Sequence, residues 1–268
     1  MTPTTAAGSY YERVGELRFK PTAHAGGAWA DDEQHFSPVG GLIAHAIEQH
    51  VADSRPGSGL AVARISYDIL GRIALDECEI TVETIRPGRT IELLEAVLSI
   101  GGRAVTRARA WLLTSLDTSS VADSSVERLA PPEEFEPWPM DELWPGGYIG
   151  SVEVRRRAGA VPGRSAAWIR TPLDLVAGEP SGALASYLAL VDTANGIAVR
   201  QSPTEWMFPN TDLTVHLQRQ PSGDWTGLDT SVSFGPDGHG VTSTVLHDVH
   251  GPVGTAAQIL TVRPLPGS

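Results

Sequence analysis

The sequence predicts an α+β protein made of two copies of one unit, each an antiparallel sheet curved around a central helix. Three observations carry this. The order strand, helix, four strands occurs twice within 268 residues, the mark of an internal duplication. Both predicted helices are too apolar for a surface position. Between Pro180 and Arg200 the only charged side chain is Asp192, and such a helix has to be enclosed on most sides. Between the copies, residues 117–147 are rich in Ser, Pro and acids and read as a connector. The predicted division is 1–116, a connector at 117–147, and 148–268.

Each element follows from local pattern. In the first copy a short strand is expected at 13–22. A helix follows at 39–51, with Leu42, Ile43, Ala46 and Ile47 at helical spacing and Ser37 as its N-cap. Strands are predicted at 61–70, 78–86, 90–100 and 104–115, separated by turn signals such as Pro87-Gly88 and Gly101-Gly102. The second copy gives strands at 152–157 and 166–171 and a helix at 182–194, with Gly196 as its stop. Strands at 212–218, 225–234, 241–248 and 253–262 complete it. Aligning Gly102 with Gly251 sets Arg109 opposite Gln258.

Composition excludes several function classes. Twenty basic residues against 32 acidic ones give a net charge of −12, which disfavours nucleic acid and anionic membranes as partners. A single cysteine, Cys78, removes a disulfide framework and a Cys-rich zinc site. No run of 18 apolar residues occurs, so no membrane span is expected. The first residues lack the layout of a signal peptide, and the expected location is cytoplasmic. Neither His45 with His50 nor His247 with His250 fits a zinc-protease spacing. A Gly-x-Ser-x-Gly elbow is absent. No metal or cofactor is expected.

A few residues stand out chemically. A lone carboxylate in an apolar helix is expensive to bury, so Asp192 is expected to be partnered or functional, with a pKa raised by desolvation. Gln258 shares a strand face with Gly254, Ala256 and Leu260, although the opposite face is no more polar and inside and outside stay open. Asn210, on a regular strand, lies on the side of Asp212, Thr214 and His216, either a polar pocket face or the solvent face. Trp206, Met207 and Phe208 are candidates for lining a substrate channel, with core packing as the alternative. Arg155, Arg156 and Arg157 are either a phosphate contact or a charged strand edge.

Several stretches together resemble tandem hot-dog acyl-CoA thioesterases of the thioesterase II type. They are Pro38-Val39-Gly40-Gly41-Leu42-Ile43-Ala44, Ala189-Leu190-Val191-Asp192, the segment from Asn210 to Arg219, and Ala256-Ala257-Gln258-Ile259-Leu260. The resemblance runs from about Arg13 to Pro264. It implies a double hot-dog fold, an acyl-CoA or acyl-carrier thioester as substrate, and a hydrolytic water held by Asp192, Asn210 and Gln258. Asn210 departs from the family, which has a Thr or similar residue there. The resemblance also makes Gly40 and Gly41 candidates for an oxyanion site at a helix N-terminus. Because the first helix has no acid matching Asp192, one competent site per chain is expected. The competing readings are a non-catalytic acyl-ligand protein and a hydratase or dehydratase, whose usual motifs do not occur. The outer sheet edges leave room for pairing with a second copy.

Overall fold

The computed structural model describes residues 8–265. Its first half contains β1 (Ser9–Arg13), β2 (Arg18–Pro21), α1 (Phe36–Ser54), β3 (Leu60–Ile69), β4 (Cys78–Arg86), β5 (Ile91–Ile100) and β6 (Arg103–Thr114). The connector carries the two-residue strand β7 (Glu136–Pro137). The second half contains β8 (Glu153–Arg156), β9 (Arg164–Arg170), β10 (Asp174–Val176), α2 (Ala183–Val191) and the single turn α3 (Ala194–Ile197). It continues with β11 (Trp206–Met207), β12 (Asp212–Leu217), β13 (Thr226–Phe234), β14 (His239–Asp248), β15 (Gly251–Thr261) and β16 (Arg263–Pro264). The predicted strand at 13–22 is two strands, because the chain turns back between Val14 and Arg18.

Fourteen strands form one sheet in the order β10-β1-β2-β4-β5-β6-β3-β12-β15-β14-β13-β9-β8-β7, while β11 and β16 make a separate ribbon. The halves meet where β3 pairs antiparallel with β12, Ser66 facing Thr214. A single offset of 148 residues relates them. Leu98 pairs with Thr106 as Leu246 pairs with Gly254, and Ser66 pairs with Arg109 as Thr214 pairs with Ala257. The sequence alignment through the two glycine turns is therefore one residue out. Arg109 corresponds to Ala257 on the outer face, and Gln258 corresponds to buried Ala110.

The helices lie against each other in the middle. Val39, Leu42, Ile43 and Ile47 of α1 are completely buried, each contributing about 1.5–3 kcal/mol relative to exposure. Closest approach falls at Gly41, where a Cβ would lie 2.5 Å from Ala189 Cβ and 2.9 Å from Ala185 O. Only glycine allows that distance. The N-cap of α1 is His35, two residues earlier than the sequence suggests, and the Ser37 N–H donates to it.

Candidate active site

Asp192 sits where α2 gives out. Its backbone is still helical (φ −64°, ψ −16°), but the regular helix ends at Val191 and resumes only as α3. The continuous helix expected over 182–194 is thus interrupted, and Gly196 lies inside α3 instead of ending a helix. That glycine admits the connector: a Cβ there would lie 2.8 Å from Met140 Cε.

The Asp192 carboxyl is nearly buried, 7% exposed. Asn210 donates through Nδ2 to Oδ1 at 2.8 Å, and Gln258 donates through Nε2 to the same oxygen at 2.7 Å. Oδ2 has no hydrogen-bond partner among the described residues, and Asp192 lines the cleft. Burial pushes its pKa up to about 6, opposed by the two amide donors, which favour the charged form. The two amides therefore grip the carboxylate, and one oxygen is left for a ligand.

Each amide arrives by a specific device. Gln258 stands on the inner face of β15 with Ala256 and Leu260, all three buried. Asn210 reaches inward because the β12–β15 pairing slips at Thr211: Thr214 faces Ala257, but Asn210 faces Leu260. One extra residue reverses the side-chain direction, so Asn210 is not on the face of Asp212, Thr214 and His216. The same slip occurs in the first half at Ala63, where Val62 faces Leu112. With the 148-residue offset, Ala44, Val62 and Ala110 occupy the positions of Asp192, Asn210 and Gln258. All three are buried and apolar, so the first half has the same frame without the polar groups.

His35 was not among the site residues expected from the sequence. Its Nδ1 accepts from the Ser37 N–H at 3.1 Å, which leaves the ring proton of the neutral imidazole on Nε2. Its ring lies 4.2 Å from that of Tyr148. Burial lowers the His35 pKa to about 3, so the ring is neutral near pH 7. Nδ1 is 3.8 Å from Asp192 Oδ2, too far for a hydrogen bond. Among the described residues Nε2 has no partner, and the ring borders both chambers of the cleft. The signal available was a side-chain acceptor directly ahead of an apolar helix.

The cleft has two chambers that share Ala28, Trp29, His35, Asp192 and Asn210. The larger, about 410 Å³, also contains Gln34, Arg72, Met207 and Arg263. The smaller, about 40 Å³, is walled by Met140, Trp144 and Ile149 and reaches Asn195. Trp144 is pinned by its Nε1–H to Gly196 O at 3.1 Å and by edge contacts with Trp29 and Phe208. The connector thus supplies part of the wall.

Other expected site residues lie elsewhere. Gly40 and Gly41 are inside α1, where each N–H is bonded to the carbonyl four residues earlier. Neither lines the cleft, and Gly41 serves the helix–helix approach instead. Of the apolar run only Met207 borders the cleft. Phe208 is buried among Trp29, Trp144 and Phe234, and Trp206 pairs with Pro264. Arg155, Arg156 and Arg157 lie over the rings of Trp225, Trp138 and Phe135, the last two being connector residues held beside β8. Gly254 makes room for backbone, not ligand, since a Cβ would collide with His216 O. Among the described residues no group of three His, Cys, Asp or Glu could hold a metal ion, and no helix is long and apolar enough to cross a membrane.

A sheet wrapped on a central helix, twice over, with a gripped carboxylate at one of the two equivalent positions, defines a double hot-dog protein. Solved structures agree on the fold. A protein with hot dog fold from Alicyclobacillus acidocaldarius aligns with TM-score 0.71 at 14% identity, covering 96% of each chain. The tesB protein of Mycobacterium avium subspecies paratuberculosis gives 0.66 at 17%, covering 95% of this chain and 96% of its own. Acyl-CoA thioesterase II of Mycobacterium marinum gives 0.64 at 14%, with 96% and 97% covered. The family model of the acyl-CoA thioesterase N-terminal domain matches residues 26–113, and that of the C-terminal domain matches 132–262. The chain belongs to the acyl-CoA thioesterase family. No curated protein matches it by sequence.

Proposed function

We propose that this protein hydrolyses an acyl-CoA thioester with a water activated by Asp192. The observation that carries this reading is the division of labour within one carboxylate: Oδ1 takes both amide donors, while Oδ2 is left for the cleft. A base with a pKa of about 6 is ionised at neutral pH and still basic enough to take a proton.

In the proposed reaction Oδ2 removes a proton from water as the water oxygen bonds to the thioester carbonyl carbon. The carbonyl electrons move onto oxygen, where His35 Nε2–H donates a hydrogen bond. This neutral donor takes the part that Gly40 and Gly41 were expected to play. The carbonyl re-forms, the C–S bond breaks, and the leaving thiolate takes from Asp192 the proton that came from water. Thioester plus water gives carboxylic acid plus thiol. Asn210 and Gln258 orient the carboxylate. The first half's Ala44, Val62 and Ala110 support one competent site per chain.

The test is thiol release from a panel of CoA thioesters by the purified protein, with Asp192→Asn alongside. Release by the wild type and its loss in the variant is the expected result. Ligand binding without any thiol release would point to a non-catalytic acyl-binding protein.

A further inference from the structure

We infer that the substrate of this site carries a short acyl group with its own hydrogen-bond donor, as in a hydroxyacyl thioester of about four carbons. This rests on the proposed hydrolysis and asks which thioester is cut. The reacting carbonyl has to sit where Asp192, Asn210 and His35 converge, at the junction of the two chambers. A thioester has two arms, so one goes to each chamber. The coenzyme A arm is long and ends in phosphates, which need cations. Arg263, together with Arg72, which is also paired with Asp32 and Glu33, lines only the larger chamber, so that arm belongs there and the acyl arm goes to the smaller.

The smaller chamber limits length. At about 40 Å³ it holds roughly three or four water-sized groups. Met140 and Trp144, both almost completely buried, form part of its wall. A dodecanoyl chain does not fit.

The chamber also specifies polarity. Asn195 is 9% exposed and donates through Nδ2 to Phe208 O at 2.9 Å, which fixes its amide orientation. Its Oδ1 is buried with no partner, although it belongs to a residue lining this chamber. A buried acceptor without a donor is costly, and a ligand hydroxyl or N–H reaching it removes that cost. An alkyl chain of the same length leaves it unpaired.

The experiment compares kcat/KM of the wild type for acetyl-, butyryl-, 3-hydroxybutyryl-, 4-hydroxybutyryl- and dodecanoyl-CoA. The better hydroxybutyryl ester is expected to exceed butyryl by about 3- to 10-fold, the effect of one hydrogen bond, with dodecanoyl slowest. Asn195→Leu should erase the hydroxyl preference, bringing the kcat/KM ratio of the hydroxybutyryl esters to butyryl-CoA to about one. Met140→Ala, which leaves Asn195 in place, should raise the relative rate on longer chains and serves if the Leu variant does not fold. Equal rates on butyryl and both hydroxybutyryl esters, or rates rising up to dodecanoyl, would overturn this inference and leave the hydrolase reading intact. No hydrolysis of any ester would instead remove the hydrolase reading itself.

Discussion

Gln258 and Asp192 are 66 residues apart in the chain, yet Gln258 Nε2 lies 2.7 Å from Asp192 Oδ1. The contact joins the inner face of the last long strand to the end of the second helix. Gln258 Oε1 is buried without a hydrogen-bond partner among the described residues, and its amide commits an N–H to the carboxylate. Asn210 does the same from a third element. Three separate segments thus determine which oxygen of Asp192 is free.

Asp192→Asn is expected to lower turnover by at least about 100-fold without destabilising the fold at neutral pH. The sign follows from linkage. The folded-state pKa is raised from 3.8 to about 6, so stability is lost as pH rises through that interval. The loss is on the order of 2–3 kcal/mol by pH 7, and the Asn variant escapes it. Melting curves should show the variant gaining on the wild type between pH 4 and pH 7. A variant that instead loses stability as pH rises would contradict the assignment.

Gln258→Ala removes one donor from the carboxylate and should move the acid limb of the kcat/KM profile from near pH 6 to higher pH. Gln258→Glu should move it further, since two carboxylates then share one buried site. Profiles measured from pH 4.5 to 8.5 decide this. An unmoved limb in both variants would show that Asp192 is not the titrating base.

His35→Ser preserves an N-cap acceptor for α1 but deletes the imidazole donor. Turnover is expected to fall about 100-fold, the effect of losing one positioned donor, with little change in Tm. The limb near pH 6 should stay in place, because burial keeps the His35 pKa near 3, below the assayed range. A limb that disappears with the imidazole would reassign the titration to His35.

Much of this arrangement was legible in the residues, and the gaps have physical causes. Asp192 announced itself because a charge in an apolar helix is rare. The duplication was legible from the repeated order of elements, but its register was not. Both glycine turns looked equivalent, and strand pairing places them one residue apart. For Asn210, alternation along a regular strand gives the face of Asp212, and the extra residue at Thr211 breaks the ladder on which alternation depends. His35 was hidden in an acidic loop, its chemistry dependent on a backbone donor two residues away. Gly40 and Gly41 were expected at an oxyanion site, but the approach Gly41 permits is that of the second helix, and a helix can need glycine as much as a ligand does.

The seam between β3 and β12 has a consequence for how the chain reaches this structure. Ile65 and Val215 face each other there, separated by most of the protein. Contacts between such distant segments form slowly, because a long loop must close before they stabilise anything. Until then each half presents an open edge of β-branched and aromatic residues, Ile65 and Tyr67 on one side and Val215 on the other. Edges of that kind recruit other strands. A detached half would keep its edge permanently, so cutting the chain in the connector and separating the pieces should yield two aggregating fragments, not two small domains.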